Sequence, residues 1–179
     1  MSLIILDRDG VINHDSDDFI KSPAEWEPID GSLEAIARLN HAGYRVVVIT
    51  NQSGIARGFL DTETLNRIHS KMRRMLAHVG GKLEAVLFCP HGPEDGCNCR
   101  KPKDGAFVEL AHRLRIKLAQ IPAVGDSLRD IQAAQSAGAI PILVKTGKGE
   151  QTLANGIPEG VAVYDDLSAV VTALLESAE

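Results

Sequence analysis

Asp7 and Asp9 stand two residues apart directly after the apolar run Leu3–Leu6, and Gly10 follows them. In a backbone that is still extended, such residues project to the same side. Two carboxylates would then point together where the chain turns away at Gly10. Asp126 follows another apolar run, Ile121–Val124, and Asp130 comes one helical turn later. Acids gathered at one edge of a sheet repel one another unless positive charge lies among them, and a hard cation with oxygen ligands is the economical answer. Mg²⁺, which keeps several of its waters, suits such a site. Lys101 offers an ammonium, and Thr50, after the run Arg45–Ile49, offers a hydroxyl. Carboxylate nucleophile, cation, ammonium and hydroxyl together make a receptor for a phosphoryl group, whose transfer depends on positioning and charge neutralisation. Each residue alone also has a plainer reading: the aspartates as turn formers or caps, Thr50 as a cap, Lys101 as a solvated lysine with Lys103 as its competitor.

A second set of chemistry-bearing residues is local. Cys89, His91, Cys97 and Cys99 lie within eleven residues, with Pro90, Gly92, Pro93 and Gly96 supplying turns that fold the segment back on itself. Three thiolates and an imidazole suit tetrahedral Zn²⁺, and with no open position the site would be structural. The alternative is three ordinary thiols and an unrelated histidine. An odd number of cysteines in one segment argues against a disulfide framework and for reduced thiols.

The elements that must position these residues follow from the apolar pattern. Strands are expected at Leu3–Leu6, Arg45–Ile49, Ala85–Phe88, Ile121–Val124, Ile140–Val144 and Val161–Tyr164. Helices are expected at Ser32–Ala42, from the Asp61 cap to Val79, and at Gly105–Arg115, Leu128–Ala137 and Leu167–Ser177. This alternation predicts an α/β fold, a three-layer Rossmann-like parallel sheet with helices on both faces. Ligands then bind where strands end at their carboxyl edge, which is where Asp7, Thr50, Cys89 and Asp126 stand. The 179 residues, 44% hydrophobic and 24% charged, suit a single domain spanning 1–179 with the zinc loop 89–99 inserted.

Several partners are excluded. A net charge of −5, from 19 Lys+Arg against 24 Asp+Glu, repels phosphate backbones, so no nucleic acid is expected. Leu3–Leu6 is far too short for a signal peptide's apolar region, so no export and no membrane span are expected, with the cytoplasm as the compartment. No heptad pattern is present, and a monomer is expected.

The ordered set Asp7-Arg8-Asp9-Gly10, Thr50-Asn51-Gln52-Ser53-Gly54-Ile55-Ala56-Arg57-Gly58, Cys89-Pro90-His91, Cys97-Asn98-Cys99-Arg100-Lys101-Pro102 and Gly125-Asp126 with Asp130 resembles the haloacid dehalogenase superfamily of phosphatases. Within it the set is similar to the branch of heptose-bisphosphate and histidinol-phosphate phosphatases. The resemblance implies a capless domain and an aspartyl-phosphate mechanism. Asp7 would be the nucleophile, and Asp9 would protonate the leaving group and then activate water. Mg²⁺ would be held by Asp7, the Asp9 carbonyl and Asp126, with Asp130 just behind. Thr50 and Lys101 would bind phosphoryl oxygens. Asn51, Gln52, Ser53 and Arg100 would line the substrate side, and Cys89, His91, Cys97 and Cys99 would hold Zn²⁺.

The implied substrate is a small phosphorylated sugar, a heptose 1,7-bisphosphate losing its 7-phosphate in the supply of activated heptose for lipopolysaccharide. Histidinol phosphate is the second candidate, and a catalytically dead, zinc-stabilised interaction module is a reading from another class. Asp15 and Phe19 fall on the expected rim. Asp15, Asp17 and Asp18 could accept sugar hydroxyls or form a solvated acidic loop, while Phe19 and Trp26 would anchor that loop. Ser127 stands where this branch often has lysine, with Arg129 a possible substitute. The loop Gly147-Lys148-Gly149 is expected on the surface near the active edge. His41, His69, His78 and His112 are expected as surface residues of helices.

Overall fold

A computed structural model describes residues 2–177 of the chain. The apolar runs form six parallel strands: β1 (Leu3–Leu6), β2 (Arg45–Asn51), β3 (Ala85–Cys89), β4 (Pro122–Gly125), β5 (Ile140–Val144) and β6 (Ala162–Tyr164). Their spatial order is β3-β2-β1-β4-β5-β6. The chain builds outward from β1 in one direction, then restarts at β4 on its other side. The carboxyl ends of β1 and β4 thus flank the switch point where open α/β sheets bind ligands. Register makes the neighbours specific: Leu6 pairs with Val124 on one side and with Val48 on the other.

Alternation along the strands divides the interior into two cores. Ile4, Leu6, Val46, Val48 and Val124 pack with α1 (Ser32–His41), α2 (Thr62–His78) and α6 (Leu167–Glu176). Leu3, Ile5, Val47, Ile49 and Ala123 pack on the other face with α3 (Gly105–Leu114) and α4 (Leu128–Ser136). Burying each such Leu or Ile contributes about 1.5–3 kcal/mol. Leu6→Ala, beside the site, would cost about 2–5 kcal/mol. Helix starts are set by side chains: Asp61 Oδ1 accepts from Thr64 N at 2.7 Å, and Asp166 Oδ1 from Ala169 N at 2.8 Å.

Three features depart from expectation. β2 runs on to Asn51 and β3 includes Cys89, because pairing continues through Thr50↔Phe88 and Asn51↔Cys89 after the apolar residues end. A short helix, α5 (Gly149–Asn155), follows β5 where a loop was expected; glycine at its start masks it in the sequence. The stretch from Gly10 to Asp30 holds one 3₁₀ turn, Pro23–Glu25, and is stitched to the site by bridges of Asn13 to Asp9 and Pro28. No cap domain is inserted among the described residues, as expected.

Candidate active site

The sheet delivers Asp7 and Asp126 to adjacent positions, and two glycines let them close in. Gly10 has φ +84° and Gly147 φ +59°, and a Cβ at either position would collide with the Asp126 carboxylate. Only glycine allows both the left-handed backbone and this approach. Asp7, Asp126 and Asp130 each present an oxygen within 4.8 Å of the others. All three are buried, as is the cation among them, Lys101. Lys101 Nζ lies 3.1 Å from Asp7 Oδ1 and 2.6 Å from Asp130 Oδ1, and donates to the Ile49 carbonyl at 3.0 Å.

Asp130 is spent elsewhere. Its Oδ2 accepts from Ser127 Oγ at 2.7 Å and from the Ser127 and Asp126 amides at 3.0 and 3.2 Å, closing the capping box of α4. With Oδ1 on Lys101, this carboxylate orients the lysine rather than offering itself to a cation. Ser127 is likewise turned inward, whereas Arg129 lines the cleft. Asn51 clamps the lysine's backbone: its Nδ2 donates to Lys101 O and its Oδ1 accepts from Lys101 N, both at 3.0 Å.

One lysine does not balance three carboxylates. Burial, then Asp130, pushes Asp7 up to about 7 against the pull of Lys101. Burial, then Asp130 and Asp7, pushes Asp126 up to about 8. Asp130 stays below the usual carboxylate range despite burial, because Lys101 lies on it. The unbalanced charge sits on Asp7 and Asp126, so the residues present fit a divalent cation held between those two.

Asp9 has the opposite electrostatics. Burial opposes its charge, but Arg8, Asn13 and Gln52 outweigh burial and hold it below the usual range. Arg8 Nε and Nη2 donate to Oδ1 at 3.1 and 2.8 Å, Asn13 Nδ2 to the same oxygen at 2.8 Å, and Gln52 Nε2 to Oδ2 at 3.0 Å. Gln52 also donates to Thr50 Oγ1 at 2.9 Å, so one amide links that hydroxyl to Asp9.

The cleft over this cluster holds about 220 Å³ and is lined by Asp7, Asp9, Asp126, Lys101, Asn51, Gln52, Ser53, Asp15, Phe19 and Arg100. The organic-site residues singled out in the sequence therefore reach it except Thr50, which lies one layer below, bonded to Gln52, and Asp18, which lies outside its lining. Trp26 is fully buried and Phe19 packs on Phe59 with ring centroids 5.2 Å apart, consistent with anchoring the rim loop.

Sequence reasoning passed over several neighbours. His69 is not a surface residue: it is buried on the core face of α2 with its Nε2 3.1 Å from Arg8 Nη1. The apolar stripe Leu65, Ile68, Met72 and Leu76 carries it inward, a signal that was present in its spacing. The loop before α5 is part of the site, with Lys148 N donating to Asp126 Oδ2 at 2.8 Å and Thr146 Oγ1 to Gly10 O at 2.6 Å. Its Lys148 ammonium lies 3.5 Å from both Asp15 and Asp17, so the acidic rim is partly neutralised. Arg57 and Arg129 join Arg100 in the cleft wall, and no carboxylate pairs with any of the three among the described residues. Burial, then the Arg129 charge, lowers the Arg100 pKa, as expected of guanidinia gathered without an anion.

Cys89, His91, Cys97 and Cys99 converge behind this wall. Cys89 Sγ lies 2.9 Å from Cys99 Sγ and 3.6 Å from Cys97 Sγ and His91 Nδ1, while His91 Nδ1 lies 3.3 Å from Cys99 Sγ. All four donors point inward and the cysteines are free thiols. Burial, then the Cys99 thiol, pushes Cys89 up to about 12, so these sulfurs cannot all ionise without a cation among them. Donor type and convergence fit Zn²⁺. The loop leads directly into Arg100 and Lys101.

Family models match two parts of the chain: a haloacid dehalogenase-like hydrolase model at residues 4–75 and a HAD-hydrolase-like model at residues 98–170. A D-glycero-beta-D-manno-heptose-1,7-bisphosphate 7-phosphatase of Bordetella bronchiseptica is 59% identical over 99% of this chain and 100% of its own length. A protein of the same name from Pseudomonas aeruginosa is 53% identical over 98% of each chain. The crystal structure of D,D-heptose 1,7-bisphosphate phosphatase from B. bronchiseptica, complexed with magnesium and phosphate, superposes with a TM-score of 0.98 at 59% identity over 99% of both chains.

Proposed function

The chain belongs to the haloacid dehalogenase-like hydrolases, among the D-glycero-beta-D-manno-heptose-1,7-bisphosphate 7-phosphatases, and from this premise we propose that it hydrolyses the 7-phosphate of that sugar through an aspartyl-phosphate on Asp7. The observation that carries the reading is the meeting of Asp7, Asp9, Lys101 and Asp126 at the switch point of the sheet. Asp7 Oδ1 is engaged by Arg8 N at 2.8 Å and by Lys101, which leaves Oδ2 to attack phosphorus. Lys101, in the cleft lining, holds a phosphoryl oxygen, and Thr50 acts from one layer below, where Gln52 donates to its hydroxyl oxygen. Asp9 protonates the departing sugar oxygen. Held ionised by Arg8, it receives that proton from the entering phosphomonoester, whose second pKa lies at about 6. Water then cleaves the aspartyl-phosphate while Asp9 takes the water's proton, so one hard displacement becomes two easier ones.

Asp7 and Asp126, with the Asp9 carbonyl, would hold Mg²⁺, which supplies the positive charge that lets the anionic nucleophile approach an anionic phosphate. Cys89, His91, Cys97 and Cys99 would hold Zn²⁺, whose part is to order the segment carrying Arg100 and Lys101. Arg57, Arg100 and Arg129 supply the remaining specificity. Three guanidinia without carboxylate partners among the described residues, lining the same cleft as the nucleophile, suit the second phosphate of a bisphosphate. A zwitterionic histidinol phosphate offers them no second anion, and an inactive module would have no use for a complete set of catalytic groups. No helix among the described residues is long and apolar enough to cross a membrane.

The test is phosphate release with Mg²⁺, and again with chelator, from the 1,7-bisphosphate, the heptose 7-phosphate and histidinol phosphate. The bisphosphate is expected to be turned over fastest and only with Mg²⁺. Preference for histidinol phosphate, or metal-independent release, would overturn the reading.

A further inference from the structure

Asp9 uses its two oxygens unequally. Oδ1 accepts from Arg8 Nε, Arg8 Nη2 and Asn13 Nδ2, whereas Oδ2 accepts, among the described residues, only from Gln52, whose Nε2 is shared with Thr50 Oγ1. Arg8 itself is wholly buried and does not line the cleft. Its remaining terminal nitrogen, Nη1, meets His69 Nε2 at 3.1 Å.

The sense of that contact is fixed by chemistry. A guanidinium has donors and no acceptor, so Arg8 donates and His69 Nε2 accepts, which places the ring proton on Nδ1 and keeps the imidazole neutral. Burial, then the Arg8 charge, supports this by lowering His69 to about 3. The ring is further held against Phe88, with centroids 6.4 Å apart. A planar guanidinium gripped at Nη1 cannot rotate without losing its two bonds to Asp9 Oδ1. The carboxylate of Asp9 is thereby held against rotation about its own axis.

We infer that His69 and Arg8 are positioning residues that divide the two oxygens of Asp9 between tasks, Oδ1 as the fixed anchor and Oδ2 as the proton-transfer atom facing the leaving group. The inference rests on the acid–base role proposed for Asp9 above. It extends the site to α2, which otherwise contributes nothing to the reaction. Both half-reactions then use one oxygen in one orientation. Loss of the His69 acceptor would blur that orientation while leaving Asp7, Lys101 and Asp126 in place.

The experiment compares the first turnover of the Mg²⁺-loaded enzyme on two esters. Heptose 1,7-bisphosphate has an alkoxide leaving group that must be protonated, and 4-nitrophenyl phosphate has one that need not be. His69→Gln keeps an oxygen acceptor near the position of Nε2, whereas His69→Asn is one methylene shorter and withdraws it. Read as release of the leaving group in the first turnover (heptose 1-phosphate or 4-nitrophenolate, before the shared hydrolysis of the aspartyl-phosphate), His69→Asn is expected to slow the sugar ester by about tenfold or more while changing the aryl ester by less than about threefold, and His69→Gln to restore the sugar ester to within about threefold. Equal slowing of both esters, or of neither, would overturn the inference. Thermal melts verify folding, and His69→Met carries the same comparison should His69→Asn not fold. Asp9→Asn is run alongside: equal effects on both esters there would refute the acid role of Asp9 itself. A selective Asp9→Asn with an unselective His69 variant would refute only the positioning.

Discussion

Asp7, Asp126 and Asp130 sit at strand and helix ends whose backbone the sheet fixes, whereas Cys89, His91, Cys97 and Cys99 converge because a loop doubles back on itself. Both clusters bring anionic donors closer than they would stand alone, and both call for a cation. The carboxylates are buried, and Asp7 and Asp130 already share Lys101; the thiols, apart from Cys89, are partly exposed, and no cation sits among them as Lys101 does among the acids. With the metals proposed above, the first arrangement would survive without its ion at the cost of shifted protonation, whereas the second would depend on its ion for shape. On that reading chemistry is built on the rigid cluster, and the compliant one serves to hold a wall of it in place.

Substitutions should separate the two regions by size of effect. Asp7→Asn should cut turnover by about 10³-fold or more while leaving the fold intact, since it removes a charge that burial disfavours. An active Asp7→Asn protein would break the account of the rigid cluster. Lys101→Met should damage both function and fold: Asp7 and Asp130 lose their shared cation, a change that costs about 3–5 kcal/mol when a buried ion pair is broken. Urea denaturation measures this, and an unchanged midpoint would show that the lysine does not compensate the acids.

Effects at the compliant cluster should be smaller. Cys97→Ser should lower kcat/KM by about tenfold to a hundredfold, comparable to losing an outer support of a site, without changing the pH profile or Mg²⁺ requirement. Measured kinetics of zinc-depleted protein should match it; full activity in zinc-free protein would sever the loop from the site. Arg129→Ala should raise KM for the bisphosphate by about tenfold, the worth of a charged hydrogen bond, and leave the heptose 7-phosphate nearly unaffected. Equal changes on both would place the second phosphate elsewhere.

A further expected effect concerns pH. Asp7 and Asp126 have folded-state pKa values raised to about 7 and about 8. Each then contributes stability to the metal-free protein below its unfolded value near 3.8, and that contribution is lost as pH rises through the folded value. Melting temperature in chelator should fall from pH 5 toward pH 8, and Mg²⁺ should flatten the slope by removing the penalty on the charged forms. A slope unaffected by Mg²⁺ would mean that the cation binds elsewhere.

Most of the architecture was legible because the strands are uninterrupted apolar runs and the reactive groups follow them directly. Asp7, Thr50 and Asp126 could be placed at one edge from chain pattern alone, and the thiol cluster from local spacing. What was not legible depends on which way a side chain turns after the backbone is set. Asn51 looked like a substrate contact, and its amide is spent on the Lys101 backbone. Asp130 stands within reach of the cation site, and a capping box and a lysine occupy it. His69 lay on the apolar stripe of α2, but a polar type on a helix reads as surface until a buried Arg8 supplies its partner. Lys148 and Gly147 belong to a loop with no apolar pattern, and their place beside Asp126 follows only from the return of the chain after β5.

The central claim is that covalent chemistry happens on Asp7 at the switch point between β1 and β4. Rapid-quench mass spectrometry of Asp9→Asn enzyme, mixed with Mg²⁺ and 4-nitrophenyl phosphate, whose leaving group needs no protonation, tests it directly, because that variant should still form the acyl phosphate and hydrolyse it slowly. One phosphoryl group is expected on the peptide carrying Asp7. Phosphate released with no modified peptide at any time, or a phosphoryl group on another residue, would contradict it.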